Sequence, residues 1–263
     1  MSARPLDLPL RLGVAIAALT AAWVAWQRPT AVNGLLFVDW GLPESTATWV
    51  DRGAALTLAA SAAAVLLRRA RIACALVAAW FLALAIATTL RGGGPFTDLA
   101  PAAQAARYGA PLGLLLLGVA NGAVTVAVLR VTVALTFVAH GYEALLHSAH
   151  FIDLILVSAR RLFGWRLSEA EAGTLLTAIG WIDLVLAALV LTRRWRLVAA
   201  YMTFWAAVTA ASRVTAFGLA SWTEVGLRAG HVAAPLALTL HWRAARRPAH
   251  GREPSTLRTA STP

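Results

Sequence analysis

Ionisable side chains are few along this chain, and where they interrupt apolar stretches they form two groups. The first is the segment His140-Gly141-Tyr142-Glu143-Ala144-Leu145-Leu146-His147-Ser148-Ala149-His150. At roughly 100° per residue, its first, fourth, eighth and eleventh positions fall within about 80° of helical arc. A helix running through to His150 therefore puts His140, Glu143, His147 and His150 on one face. Imidazole and carboxylate together suit zinc or iron, which makes these four weak candidates for a divalent metal site. Their spacing is not His-Glu-x-x-His, and the plain alternative for His147 and His150 is a wet, interfacial position. The second group is Asp183, Arg213 and His231, each inside a different apolar stretch. A lone carboxylate or guanidinium there is costly and points to a ligand, a proton path or a buried partner. In the ligand reading, a histidine exchanges protons near neutral pH while Arg213 fixes an anionic or quinone-like molecule. In the structural reading, Arg213 pairs with Asp183 or Glu143 and only sets helix register. The ligand-binding candidates are thus His140, Glu143, Asp183, Arg213 and His231.

The elements that carry these residues follow from composition. The chain is 59% hydrophobic and 13% charged, against roughly 25% charged in soluble domains. Long stretches without charge are covered by lipid or by one another, and in lipid only a helix satisfies its own backbone. We read eight crossings: about 10–27, 53–67, 72–90, 107–120, 124–147, 173–192, 197–220 and 227–242. The fourth and fifth are separated at Asn121-Gly122, a turn-favouring pair. Ser168 with Glu171 forms a capping-box pattern at the start of the sixth, and Thr48 with Asp51 a less ideal one for the second. The stretch 151–165 mixes aliphatic residues with Arg160, Arg161 and Trp165, and reads as a short interfacial or re-entrant helix. The Pro-, Ser- and Thr-rich tail after Arg246 is expected to be disordered.

Charge distribution sets orientation and excludes some functions. The net charge is +11 and all 23 basic residues are Arg, yet they cluster at the ends of spans. No aromatic-studded basic domain that could grip a nucleic acid is present. The Arg runs at 68–71 and 193–196 and the Arg-rich tail fall on one side of an eight-crossing chain, so the positive-inside rule puts both termini in the cytoplasm. Cys74 is the only cysteine, which excludes an internal disulfide or a Cys-x-x-Cys thiol relay.

The chain also repeats itself at a spacing of about 120 residues. Thr48-Trp49-Val50-Asp51-Arg52-Gly53 recurs as Ser168-Glu169-Ala170-Glu171-Ala172-Gly173, and Arg68-Arg69-Ala70-Arg71 as Arg193-Arg194-Trp195-Arg196. Trp80 and Trp205 each follow their run by nine residues, and Arg11 and Arg130 open matching apolar stretches. Matches in one order point to duplication of a structural unit. With four helices per copy the copies have the same orientation, a parallel repeat. The expected architecture is all-α: a polytopic membrane protein with eight transmembrane helices in two tandem units. Residues 1–122 form a scaffold-like unit, 123–245 the unit with the polar site, and 246–263 a cytoplasmic tail. Opposite His140 and Glu143 the first copy has Ala21 and Val24, so only the second copy reads as a site.

The second copy resembles the DoxX-like membrane proteins of bacteria. The resemblance rests on Leu129-Arg130 through Thr136-Phe137-Val138-Ala139-His140-Gly141, on Ile179-Gly180-Trp181-Ile182-Asp183-Leu184, and on Gly230 through Pro235-Leu236-Ala237-Leu238. It covers roughly 129–242, more faintly 10–120, and only Arg130, Gly141, Gly180 and Asp183 fit family-like positions. It implies a redox-associated subunit of the bacterial cytoplasmic (inner) membrane. Family members include a thiosulfate:quinone oxidoreductase subunit and partners in thiol-stress systems. The fusion of two units is a departure from the family. The expected function is therefore a redox-linked membrane subunit with a polar or quinone pocket in its second unit, with quinone or a divalent metal as candidate cofactors. Its expected partners are the lipid bilayer and other membrane or redox subunits, with no nucleic acid. The alternatives are a small-solute or proton-coupled transporter and a non-catalytic structural or assembly protein.

Overall fold

The apolar stretches fold as helices, and among the described residues there is no strand. The computed structural model describes residues 4–67, 71–118 and 122–245. Helix α1 (Arg4–Gln27) leads to the single turn α2 (Ala31–Gly34), a π-helical turn, α3 (Glu44–Leu66) and α4 (Arg71–Arg91). A 3₁₀ turn then opens α5 (Ala100–Ala103), followed by α6 (Ala105–Leu117) and α7 (Gly122–Leu145). Next come α8 (Ala149–Phe163), α9 (Glu169–Thr192), α10 (Arg196–Phe217), a second 3₁₀ turn, α11 (Trp222–Leu227) and α12 (Ala229–Ala244). Among the described residues six helices are long and apolar enough to cross a membrane: α1, α3, α4, α7, α9 and α10. The stretches read as the fourth and eighth crossings, 107–120 and 227–242, fall on α6 with 13 residues and α12 with 16, which start behind turns at Gln104 and Arg228. A single crossing needs about 20.

α1, α6, α7 and α12 occupy the middle of the bundle. α1 packs on α3, α6 and α12, α7 on α6, α9 and α12, and α4 and α10 pack on α6 and α12 in turn. The core between them is built of Leu10, Val14, Phe81, Leu129, Val133, Met202 and Leu238, spaced by Ala18, Ala62, Ala234 and Ala237. Small residues let helices approach closely, the main source of attraction between helices in lipid. The outward faces carry exposed Leu12, Ile16, Leu56, Ile72, Ile182, Val185, Leu197 and Phe204. Apolar surface on this scale is disfavoured in water and suits acyl chains.

Arginines close one end of the bundle. The last carbonyls of a helix have no partner within it. Arg11 donates to the Val65 carbonyl of α3 at 2.7 Å, and Arg130 to the Val190 carbonyl of α9 at 2.7 Å and also to that of Leu191. Arg71 does the same for Gly118 behind α6 at 2.6 Å.

Local expectations are corrected in two places. Thr48 caps nothing: α3 begins at Glu44 behind Pro43, whose fixed φ suits a helix start, and Thr48 lies inside it. Asp51 is instead buried in α3 and accepts from the Thr30 backbone N–H at 2.9 Å and hydroxyl at 2.7 Å, tying down the α1–α3 connection. The second correction is that α7 ends at Leu145, and His147 has a positive φ of 52°. His150 therefore lies on α8, and the common helical face of His140, Glu143, His147 and His150 does not exist. The Ser168–Glu171 capping box is present, and the stretch read as a short interfacial or re-entrant helix forms the amphipathic helix α8, with Arg160 and Arg161 exposed. The Arg68–Arg69 part of the first Arg run, Asn121 and the tail after Arg246 lie outside the described residues.

One crossing positions the site more than any other. Gly141 of α7 meets Gly180 of α9 so closely that a Cβ at 180 would lie 2.7 Å from the Gly141 carbonyl oxygen and 2.7 Å from Leu145 Cγ. A Cβ at 141 would lie 3.0 Å from the Gly180 oxygen and 3.1 Å from Asp183 Cβ. Backbone cannot step aside as a flexible side chain does, so Gly180→Ala must part the two helices. We expect it to cost about 1–3 kcal/mol of stability, read as a lower melting temperature in detergent. Gly53→Ala, where a Cβ meets nothing within 4 Å, serves as the control and should leave melting unchanged or slightly raised.

Candidate functional site

The five helices α7, α8, α9, α10 and α12 line a half-open cavity of about 240 Å³ at the end of the bundle away from the Arg-capped helix termini. Apolar walls come from Phe137, Phe151, Leu154, Ile155, Leu176, Ile179 and Val208. Polar groups come from His140, Ser158, Asp183, Thr209, Ser212, Arg213, Arg228 and His231. The amphipathic α8 supplies one wall because its apolar face turns inward while Arg160 and Arg161 stay outside. It is tied to the C-terminal turn of α10 by Ser158 and Thr215, whose hydroxyls lie 3.0 Å apart.

Three ionisable groups on the walls, Asp183, Arg213 and His231, are held by neutral partners, while His140 and Arg228 face the carboxylates of Glu143 and Glu224. Asp183, 4% exposed, faces the indole N–H of Trp205 and keeps a buried Oδ1 without a hydrogen bond. Arg213, 5% exposed, donates from one terminal nitrogen to the Thr209 carbonyl at 2.6 Å and the Ser212 hydroxyl at 3.1 Å, while its buried Nε has no acceptor. His231 lies with Nε2 3.2 Å from the Ala103 carbonyl of α5. That contact makes Nε2 the protonated nitrogen and leaves Nδ1 as a buried acceptor without a donor. His140 stands beside His231 with ring centroids 6.2 Å apart, and its Nδ1 is 3.2 Å from Glu143 Oε2.

Four of the five ligand-binding candidates, His140, Asp183, Arg213 and His231, therefore line one cavity, and Glu143 stands behind His140. Among the described residues Arg213 makes no ion pair with Asp183 or Glu143, so the register-setting pair is absent. The metal candidates are dispersed: His147 Nε2 is 2.9 Å from the Thr177 hydroxyl, and exposed His150 stacks on Phe217 with centroids 6.0 Å apart. Among the described residues no three His, Cys, Asp or Glu side chains gather as a metal site.

Sequence reasoning missed Arg228 as a wall residue and Thr209 and Ser212 as acceptors for Arg213. Arg228 follows Glu224 by four residues, and the two pair at 2.7 Å. The four- and one-residue spacings to Arg213 are visible in the sequence but carry no distinguishing signal, since Thr and Ser are common in apolar helices.

No family model, curated protein or solved structure matches the chain.

Glu224 lies on α11, outside the six long apolar helices. Partial burial raises its carboxyl pKa, but the hydrogen bond and charge of Arg228, with Arg107 and Arg28 adding, outweigh this and hold it below the ordinary 4.5. A depressed carboxyl contributes stability that is present above its unfolded value and is lost as pH falls through the folded one. Glu224→Gln is therefore expected to lower the melting temperature at neutral pH. The difference from wild type should hold down to about pH 4.5 and fade as the pH falls further, through the depressed folded value.

Proposed function

We propose that the chain is a DoxX-like, redox-associated subunit of the bacterial cytoplasmic membrane. In this reading it is two tandem four-helix units whose second unit binds a small polar-headed ligand. The observation that carries it is the shared cavity: Asp183, Arg213 and His231 come from three helices, meet on one wall set, and each keeps a buried polar atom without a partner. A purely structural network closes on itself, because an unsatisfied buried group is costly. A molecule with donors and acceptors of its own completes this one. A quinone ring fits the sequence-level expectation, offering carbonyl acceptors to Arg213 and Arg228 between apolar walls.

Several parallels support the two-unit reading. Arg11 and Arg130 occupy the same place against α3 and α9, bonding Val65 and Val190 respectively. In that register Leu58 stands seven residues before Val65 as Asp183 stands seven before Val190. Trp80 and Trp205 correspond likewise. Trp205 meets Asp183, whereas the buried indole nitrogen of Trp80 has no partner. The first unit thus has the frame of the site with a leucine in place of its acid.

In this reading α6 and α12 supply the fourth and eighth crossings, with α5 and α11 lying outside the spans that follow them. The positive-inside rule then puts the cavity in the outer half of the bilayer.

The test is mass analysis of small molecules retained by protein purified in mild detergent, with binding of a tailless dimethoxy-benzoquinone as the defined probe. The wild type should retain or bind a ligand. Asp183→Asn and His231→Gln should weaken that binding at least about tenfold, the order expected for one hydrogen bond to a charged or buried group. Thr88→Ala, at the position matching Arg213 in the first unit, should not. Equal binding by all four proteins would put the ligand elsewhere and end this reading.

A further inference from the structure

We infer that the occupant of this cavity is an organic monocarboxylate of about ten non-hydrogen atoms, its carboxylate seated on the guanidinium of Arg213. The inference rests on the reading that the cavity takes a ligand, and narrows that ligand by charge, shape and size.

Charge comes first. A guanidinium stays protonated in any protein environment, so Arg213 brings a fixed positive charge to a position where only 5% of it meets solvent. Its partners are two neutral oxygens, those of Thr209 and Ser212. The carboxylates nearby are already engaged: Glu143 by His140 at 3.2 Å, and Glu224 by Arg228 at 2.7 Å. Asp183 lines the same cavity but faces Trp205 and lies beyond ion-pair distance of Arg213. Arg228 lines the cavity as well; Arg228 and Arg107 add positive potential at Arg213, and Glu224 and Glu143 offset it only from beyond bonding distance. A buried charge without a counter-ion is strongly disfavoured. A neutral quinone carbonyl offers an acceptor but no charge, whereas a bound anion offers both.

Shape selects among anions. Arg213 lines the cavity, and its guanidinium is a planar fork that matches the two oxygens of a carboxylate. Phe137, Leu154, Ile155 and Val208 make the remaining wall apolar. A small inorganic anion would leave these side chains facing nothing, so the carboxylate must carry a hydrocarbon body. The cavity volume, about 240 Å³, sets the size of that body. A cavity of about 150 Å³ holds one benzene ring, and scaling gives about ten non-hydrogen atoms. An aryl-acetic acid or a saturated eight-carbon acid has that size and polarity.

The experiment uses the full-length protein in mild detergent, followed by thermal melting and equilibrium binding. The probes are phenylacetate and octanoate, with phenylacetamide as the uncharged isostere, acetate as the head without a body, and tailless dimethoxy-benzoquinone as the neutral ring. We expect a carboxylate probe to raise the melting temperature and to bind about ten- to a hundredfold more tightly than phenylacetamide, the range for a charge-assisted hydrogen bond. Acetate should bind more weakly than either longer acid. Arg213→Gln should abolish the preference for acid over amide. Its ligand-free melting temperature should equal or exceed that of the wild type, because a charge without a counter-ion has been removed. The comparison of acid with amide on the wild type stands without any variant. Equal binding of phenylacetate and phenylacetamide overturns the inference. Binding of the benzoquinone with none of the carboxylates overturns it too, while leaving the ligand cavity intact. Binding of no probe, with nothing retained through purification, removes both.

Discussion

An ionisable side chain inside an apolar bundle must find its stabilisation close at hand, and in this protein the groups that need it most are kept from neutralising one another. Asp183 and Arg213 line the same cavity on neighbouring helices, the natural ingredients of a buried ion pair. The structure instead gives Asp183 an indole and Arg213 a carbonyl and a hydroxyl. Oriented neutral dipoles lower the cost of each group, and the guanidinium of Arg213 keeps its charge inside the cavity. Three features of the second half position these groups. The Gly141–Gly180 crossing brings α9 close to α7 and carries Asp183 in beside it. The break at Arg228 turns the start of α12, so that His231 reaches the Ala103 carbonyl while Arg228 itself faces the cavity. Helix α8 covers the remaining side with its apolar face, anchored through Ser158 to the last turn of α10.

The opposite end of the bundle is built for rigidity. Arg11, Arg71 and Arg130 each reach across to a neighbouring helix and bond carbonyls that its own backbone leaves open. These contacts fix the axial position of α3, α6 and α9 relative to α1, α4 and α7, and therefore the depth at which their polar residues sit. The first half uses its own buried carboxylate differently. Asp51 accepts two hydrogen bonds from Thr30 and closes a connection, so its burial is structural and needs no ligand. In the proposed reading, the contrast between a satisfied Asp51 and a partly satisfied Asp183 separates a fastening from a site.

Much of this was legible in the chain itself, for physical reasons that apply to particular residues. Long uncharged stretches in a 13% charged sequence leave no stable alternative to helices, so the long elements were plain. The Ser168–Glu171 box announced the start of α9 because both residues of the reciprocal cap are visible in sequence. Asp183, Arg213 and His231 stood out because each interrupts an apolar run. The misreadings came from local conformation. Thr48 and Asp51 imitate a cap, but Pro43 starts the helix earlier and turns Asp51 inward. The face shared by His140 and His150 assumed a continuous helix, and the positive φ at His147 leaves no helical register to share. Nor does spacing show that Arg213 would bond its own helix rather than a facing acid, because the choice depends on rotamer and on the crossing of α9 with α10.

The account turns on Asp183 and Arg213 facing one cavity without bonding each other, and a double-mutant cycle on ligand-free protein tests it directly. Melting free energies of wild type, Asp183→Asn, Arg213→Gln and the double variant give the coupling, with His140→Ala and Glu143→Gln as a contacting pair for comparison. The account predicts a coupling between Asp183 and Arg213 within about 0.5 kcal/mol, as for sites that share no bond. A coupling of about 2 kcal/mol or more, on the scale of a buried ion pair, would contradict it. The cavity would then be the gap beside a structural lock.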